Sequence, residues 1–148
     1  MPLMDQINEE LKTAMRAKDG LRLGAVRMLM AALKLKEKES QRSLKEDEVQ
    51  RIVATLIKQR KEAAVQYREG NREDLAAQEE AEAAILQAFL PEQLSREELE
   101  RLVDEAIAEA GATSAKDIGK VMKTVMPKTT GRADGKEVNE LVRARLAG

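Results

Sequence analysis

Apolar residues recur at every third or fourth position along nearly the whole chain, and the strict alternation of a half-buried strand is missing. A chain patterned in this way can bury its apolar faces only by packing helix on helix. Leu3, Ile7, Leu11 and Met15 fall on one face of a first helix, and Gly20 follows as a natural stop. A second helix runs from Leu21 to about Lys38 and is apolar on most sides, so it is expected to sit between other helices. A third, from about Glu46 to Glu69, carries the stripe Val49, Ile52, Val53, Leu56 and Ile57 and ends at Gly70-Asn71. A fourth spans Arg72 to Phe89 and is closed by Leu90-Pro91, because proline cannot continue a helix and restricts the residue before it.

Three shorter helices follow, each opened by a capping signature. Ser95 with Glu98 precedes Leu99, Leu102, Val103, Ala106 and Ile107. Ser114 with Asp117 precedes Ile118, Val121, Met122 and Val125, and this helix is expected to give way to a Pro/Gly turn at Met126-Pro127. Asp134 with Glu137 precedes Val138, Leu141, Val142 and Leu146. The expected fold is all-α. An N-terminal helical domain of about four helices occupies residues 1–91, and a three-helix tail domain occupies residues 92–148.

The chain's chemistry is limited by what it lacks. It has 148 residues, no Cys and no His, and its only aromatics are Tyr67 and Phe89. Disulfides, thiolate ligands, a Cys nucleophile and an imidazole proton shuttle are excluded. Stacking of bases on aromatic side chains is disfavoured for the same reason. The run Gly131-Arg-Ala-Asp-Gly-Lys is too compact for a phosphate-cradling loop. Glu79, Glu80 and Glu82 lie among Gln and Ala and read as a solvated helix face rather than as catalytic carboxylates. No catalytic residue, metal ligand or cofactor is expected. With no apolar run long enough to span a membrane and no signal peptide, the chain reads as a soluble, cytoplasmic protein.

Charge is unevenly spread. Residues 1–90 balance at 16 Lys/Arg against 16 Asp/Glu, residues 91–112 hold 2 against 7, and residues 113–148 hold 8 against 4. Lys116, Lys120 and Lys123 share one face of the sixth helix, opposite Ile118, Val121, Met122 and Val125. Lys128 and Arg132 flank the turn, and Lys136 opens the last helix. Lys120, Lys123, Lys128, Arg132 and Lys136 are therefore the candidate phosphate-binding residues. A merely basic solvent surface accounts for the same residues. Arg143 and Arg145 suit that reading well, since cations near a helix C-terminus are favoured by its dipole.

The tail pieces Ile118-Gly-Lys-Val-Met-Lys, Met126-Pro-Lys, Gly131-Arg-Ala-Asp-Gly-Lys and Val138-Asn-Glu-Leu-Val resemble the tail domain of GatB, the B subunit of the tRNA-dependent amidotransferase. The stretch Leu23 to Leu33 with its Arg27-Met-Leu core, Arg72-Glu-Asp-Leu with Glu79, and Phe89-Leu-Pro-Glu-Gln-Leu-Ser resemble the stand-alone members of the GatB/YqeY family. The resemblance covers essentially the whole chain and implies a bacterial, YqeY-like protein whose tail contacts tRNA through Lys120, Lys123, Lys128, Arg132 and Lys136. The chain is too short for the cradle domain that transfers the amide in the larger enzyme. The expected function is a non-catalytic, tRNA-binding helical module, or one associated with tRNA-dependent amidation. Its partners would be tRNA, or an amidotransferase or aminoacyl-tRNA synthesis complex, without membrane or metal. The alternatives are an accessory or member of the glutamine-dependent carbon–nitrogen ligase class, and a protein–protein adaptor in which the acidic 91–112 helix and the basic tail meet partners or each other.

Overall fold

The computed structural model describes residues 1–147, which form seven α-helices and one 3-10 turn, with no strand among them. The helices are α1 (Leu3–Ala17), α2 (Gly20–Ser40), α3 (Glu46–Glu69), α4 (Glu73–Gln87), α5 (Arg96–Ala110), α6 (Ile118–Thr129) and α7 (Gly135–Ala147). The chain divides into two compact units, residues 1–90 and 91–148.

In the first unit α2 packs against α1, α3 and α4, while α3 and α4 form an antiparallel hairpin. The core joins Leu3 and Ile7 of α1, Ala25, Val26, Leu29 and Leu33 of α2, Val49, Val53 and Ile57 of α3, and Ala83 and Leu86 of α4. These are in-phase positions of each stripe, with Leu11, Ile52 and Leu56 only partly buried at the edge of the core. Met15 is exposed and Ala14 takes the buried place at that end of α1. The first helix is stopped by Lys18 in the left-handed conformation at φ 56°. Gly20, expected as the stop, is instead the first residue of α2, behind an Asp19 cap that accepts the Arg22 N–H at 3.1 Å.

Two features tie the helices of this unit beyond apolar packing. The Glu46 carboxylate, at the start of α3, accepts the Leu3 N–H at the start of α1 at 3.0 and 3.2 Å. It thereby satisfies a donor that the helix itself leaves open. Across the α3–α4 hairpin, Arg60 meets Glu79 at 3.5 Å, with side chains only 25% and 16% exposed. The expectation that Glu79 lies on a solvated face is thus corrected. Its neighbour Glu80 is exposed as expected and pairs with Arg68.

The second unit is a three-helix assembly about Leu99, Val103, Ala106, Val121, Val125, Val138, Leu141 and Val142. Ser95 and Asp134 open α5 and α7 as expected, whereas Ser114 caps the 3-10 turn before α6 and α6 itself has no side-chain cap. Ser95 accepts the Glu98 N–H at 3.1 Å, Asp117 accepts the Thr113 N–H at 3.0 Å, and Asp134 accepts the Lys136 N–H at 3.0 Å. Helix α6 differs from expectation at its end, since it runs through Pro127 to Thr129. Proline removes the N–H that would meet the Lys123 carbonyl, but Pro127 lies on the exposed face where water can replace it. The last carbonyls are held by hydroxyls. Thr130 donates to Met126 O at 2.6 Å and the buried Thr129 donates to Val125 O at 3.3 Å.

Candidate nucleic-acid interface

The five candidate cations all belong to the second unit, on α6, the turn after it and the start of α7. Val121 and Val125 turn inward and are fully buried, which directs Lys120 and Lys123 to solvent on the opposite side of α6. Lys116, one turn earlier in the 3-10 segment Ala115–Asp117, is exposed on the same side. Among the described residues, no carboxylate forms an ion pair with Lys116, Lys120, Lys123 or Lys136. The Asp117 carboxyl nearby is held below the usual carboxylate range by the Thr113 N–H first. The Ser114 amide and the charge of Lys120 add to the effect.

The other two candidates have internal duties. Lys128, read as flanking the turn, lies within the last turn of α6, and its ammonium meets Glu109 of α5 at 3.1 Å. Arg132 donates through Nε to the Glu92 carbonyl at 3.1 Å. It belongs to a clip in which Leu94 N–H bonds Arg132 O at 2.8 Å and Gln93 Nε2 bonds Gly131 O at 2.8 Å. Gly131 is buried with φ 77°, a conformation that costs a side-chain-bearing residue about 1 kcal/mol or more. The structure therefore brings Lys120 and Lys123 together on an open face. Lys136 stands apart at the second position of α7, and Lys128 and Arg132 are tied inward.

The acidic and basic stretches of this unit largely face each other. Arg145 of α7 meets Glu100 and Asp104 of α5 at 3.7 and 3.1 Å, and Arg96 of α5 meets Glu137 of α7 at 3.0 Å. This neutralisation reduces the field of the tail but, among the described residues, leaves Lys120 and Lys123 of α6 outside any ion pair. Sequence reasoning had left Lys116 outside the site. Its i, i+4, i+7 relation to Lys120 and Lys123 was the available signal. Among the described residues, no group of three or more Asp or Glu side chains is placed to hold a metal ion.

Residues 4–146 match the family described as Yqey-like protein. The chain belongs to the YqeY-like family. Its curated relatives include proteins named "Altered inheritance of mitochondria protein 41, mitochondrial". The one from Vanderwaltozyma polyspora is 31% identical over 121 residues, 76% of this chain and 64% of that protein. The one from Kluyveromyces lactis is 37% identical over 101 residues, 66% of this chain and 54% of that protein. The one from Pyrenophora tritici-repentis is 28% identical over 152 residues, 97% of this chain and 82% of that protein. The YqeY-like chain thus spans less than two thirds of the length of the first two.

These relatives correct two expectations. The reading of the YqeY-like chain as bacterial and cytoplasmic is overturned by matches to fungal proteins named as mitochondrial. The physical reason is that an address is read from a targeting segment, whereas the patterning of a folded body reports its packing. No described helix is long and apolar enough to cross a membrane.

Proposed function

We propose that the YqeY-like chain is a non-catalytic module whose tail unit, the three-helix domain read from the sequence, holds the phosphate backbone of a folded RNA of the tRNA class. The observation that carries this reading is the exposed pair Lys120 and Lys123 on α6, with exposed Lys116 in the 3-10 turn before it, none of them in an ion pair among the described residues, backed by the buried Val121 and Val125. Lys136 offers a further exposed cation at the start of α7, and Lys128 and Arg132 join by exchanging Glu109 and the Glu92 carbonyl for phosphate oxygens. Contacts of this kind read backbone and shape, in keeping with a chain that has one Tyr and one Phe. The same reading suits any compartment that translates.

Titration with bulk tRNA across salt concentrations tests it. Four open cations imply a log K against log salt slope of about −2.8 to −3.6, at roughly −0.7 to −0.9 per contact. Participation of Lys128 and Arg132 steepens it. No binding at about 50 mM salt ends the proposal.

A protein–protein adaptor is the second reading. It is favoured by the ion pairs between α5 and α7, in which Arg145 is held by Glu100 and Asp104 and Arg96 by Glu137, so that part of the unit's charge is already matched internally. Association with partners that survives RNase treatment supports it. A role in glutamine-dependent amide transfer has no comparable side-chain arrangement behind it. Adding the chain to such an assay, alone and with the amidotransferase subunits, tests that role directly.

A further inference from the structure

Helix α2 carries two apolar stripes. One, formed by Ala25, Val26, Leu29 and Leu33, lies in the core. The other runs Leu21, Gly24, Met28, Ala31 and Leu35, alternating steps of three and four residues as in the seam between paired helices. Apart from Met28, which packs against the edge of the core, this second stripe faces away from it. Leu21 is 41% and Leu35 58% exposed, Gly24 and Ala31 are exposed, and Met28 is half-buried. It explains why the helix reads as apolar on most sides without being enclosed. A Cβ placed on Gly24 would meet nothing within 4 Å, so nothing around it demands glycine, although glycine weakens a helix interior.

Two further observations bear on what covers the seam. Arg27, Lys34 and Lys38 run along it, all exposed and none in an ion pair among the described residues. By contrast, Arg22, Arg42, Arg51 and Arg60 each hold a carboxylate. At the Leu35 end a cavity of about 410 Å³ opens between α2 and α3, with Leu35, Ile52 and Leu56 among its walls and the cations Lys36 and Arg51 outnumbering the carboxylate Glu39 at its side.

We propose that this seam is the docking site for an amphipathic helix of a protein partner whose apolar stripe is flanked by Asp and Glu, with one large apolar side chain seated in the cavity. The small residues Gly24 and Ala31 let a partner backbone come close. A lipid-binding face would instead present bulky side chains at those places. A second copy of this chain, laid antiparallel, would set Arg27 and Lys34 against their own counterparts. The site lies in the first unit and is independent of the RNA reading.

The test uses two synthetic peptides of about three heptads with Leu at the seam positions, one flanked by Glu and one by Lys. Each is titrated into the isotope-labelled full chain. The Glu-flanked peptide is expected to shift amides of α2 and the facing part of α3, and the Lys-flanked one to bind at least about tenfold more weakly. Gly24→Gln fills the open position without touching the core. It should weaken the Glu-flanked peptide about tenfold or more and leave the thermal midpoint unchanged or higher. Arg27→Glu with Lys34→Glu should reverse the preference. Equal binding of both peptides, shifts confined to other helices, or undiminished binding by the Gly24→Gln protein would each overturn the proposal. So would self-association or binding to anionic vesicles that Gly24→Gln abolishes, which would reassign the seam to a second copy or a lipid surface.

Discussion

The Gln93 side-chain amide donates to the Gly131 carbonyl at 2.8 Å, across 38 residues of sequence. With the Leu94–Arg132 and Arg132–Glu92 bonds it fastens the segment before α5 to the turn before α7. Two motifs that read separately in the sequence, Pro-Glu-Gln-Leu and Gly-Arg-Ala-Asp, are thus halves of one joint. Gln93→Leu should lower the stability of the tail unit by about 1–2 kcal/mol, since it leaves a part-buried carbonyl without its donor. Chemical unfolding of the variant against the parent measures this, and an unchanged midpoint would show that water replaces the amide at no cost.

Lys120→Glu with Lys123→Glu should abolish or sharply weaken tRNA binding while shifting stability by no more than about 0.5 kcal/mol, because both side chains are exposed and, among the described residues, outside any ion pair. Binding and thermal melts of the same preparation separate the two effects. A loss of fold would assign the lysine stems to packing instead.

Arg60 and Glu79 should be coupled. Removing one partner, as in Glu79→Ala, leaves a half-buried guanidinium uncompensated and should cost about 2 kcal/mol, less than the 3–5 of a fully buried pair. Arg60→Leu with Glu79→Leu should recover most of that loss. A double-mutant cycle by denaturant titration reports the coupling, and strict additivity would mean the pair contributes nothing.

Acid should weaken the start of α3. The Glu48 carboxyl accepts from Arg42 and from the Lys45 N–H, in that order of effect, and its pKa falls to about 2. Because the folded value lies below the unfolded one, near 4.5, this contribution is present above pH 4.5 and is lost as pH falls towards 2. Glu48→Gln should lower stability at neutral pH and flatten the fall between pH 4.5 and 2. Denaturant midpoints at pH 6 and pH 3 for the two proteins check the sign, and the effect is small because the pair is exposed.

Which segments coil was legible because three- and four-residue spacing, caps and proline all act within one or two turns. Ser95, Ser114 and Asp134 each mark a helix start for that reason. What was not legible depended on distant partners. Glu79 reads as solvated until Arg60 is placed beside it, and Arg132 reads as a free cation until Glu92 arrives from 40 residues away. Pro127 misled in another way. A proline on the exposed side of a helix is tolerated, and the threonine hydroxyls after it hold the final turn that carries Lys128 to Glu109. In the candidate site, exposure of Lys120 and Lys123 followed from helix phase alone, whereas the engagement of Lys128 and Arg132 required tertiary structure.

The bond from Leu3 to Glu46 gives the first helix a kinetic position. Its opening donor is satisfied by a side chain 43 residues onward, so the start of α1 is fastened in place only once α3 has formed. The α3–α4 hairpin closes through neighbouring residues, and loop closure is cheaper there. The chain should therefore assemble from its middle outward, with its first-made helix among the last to be secured. The amides at the start of α1 should be the earliest to exchange when the unit begins to open.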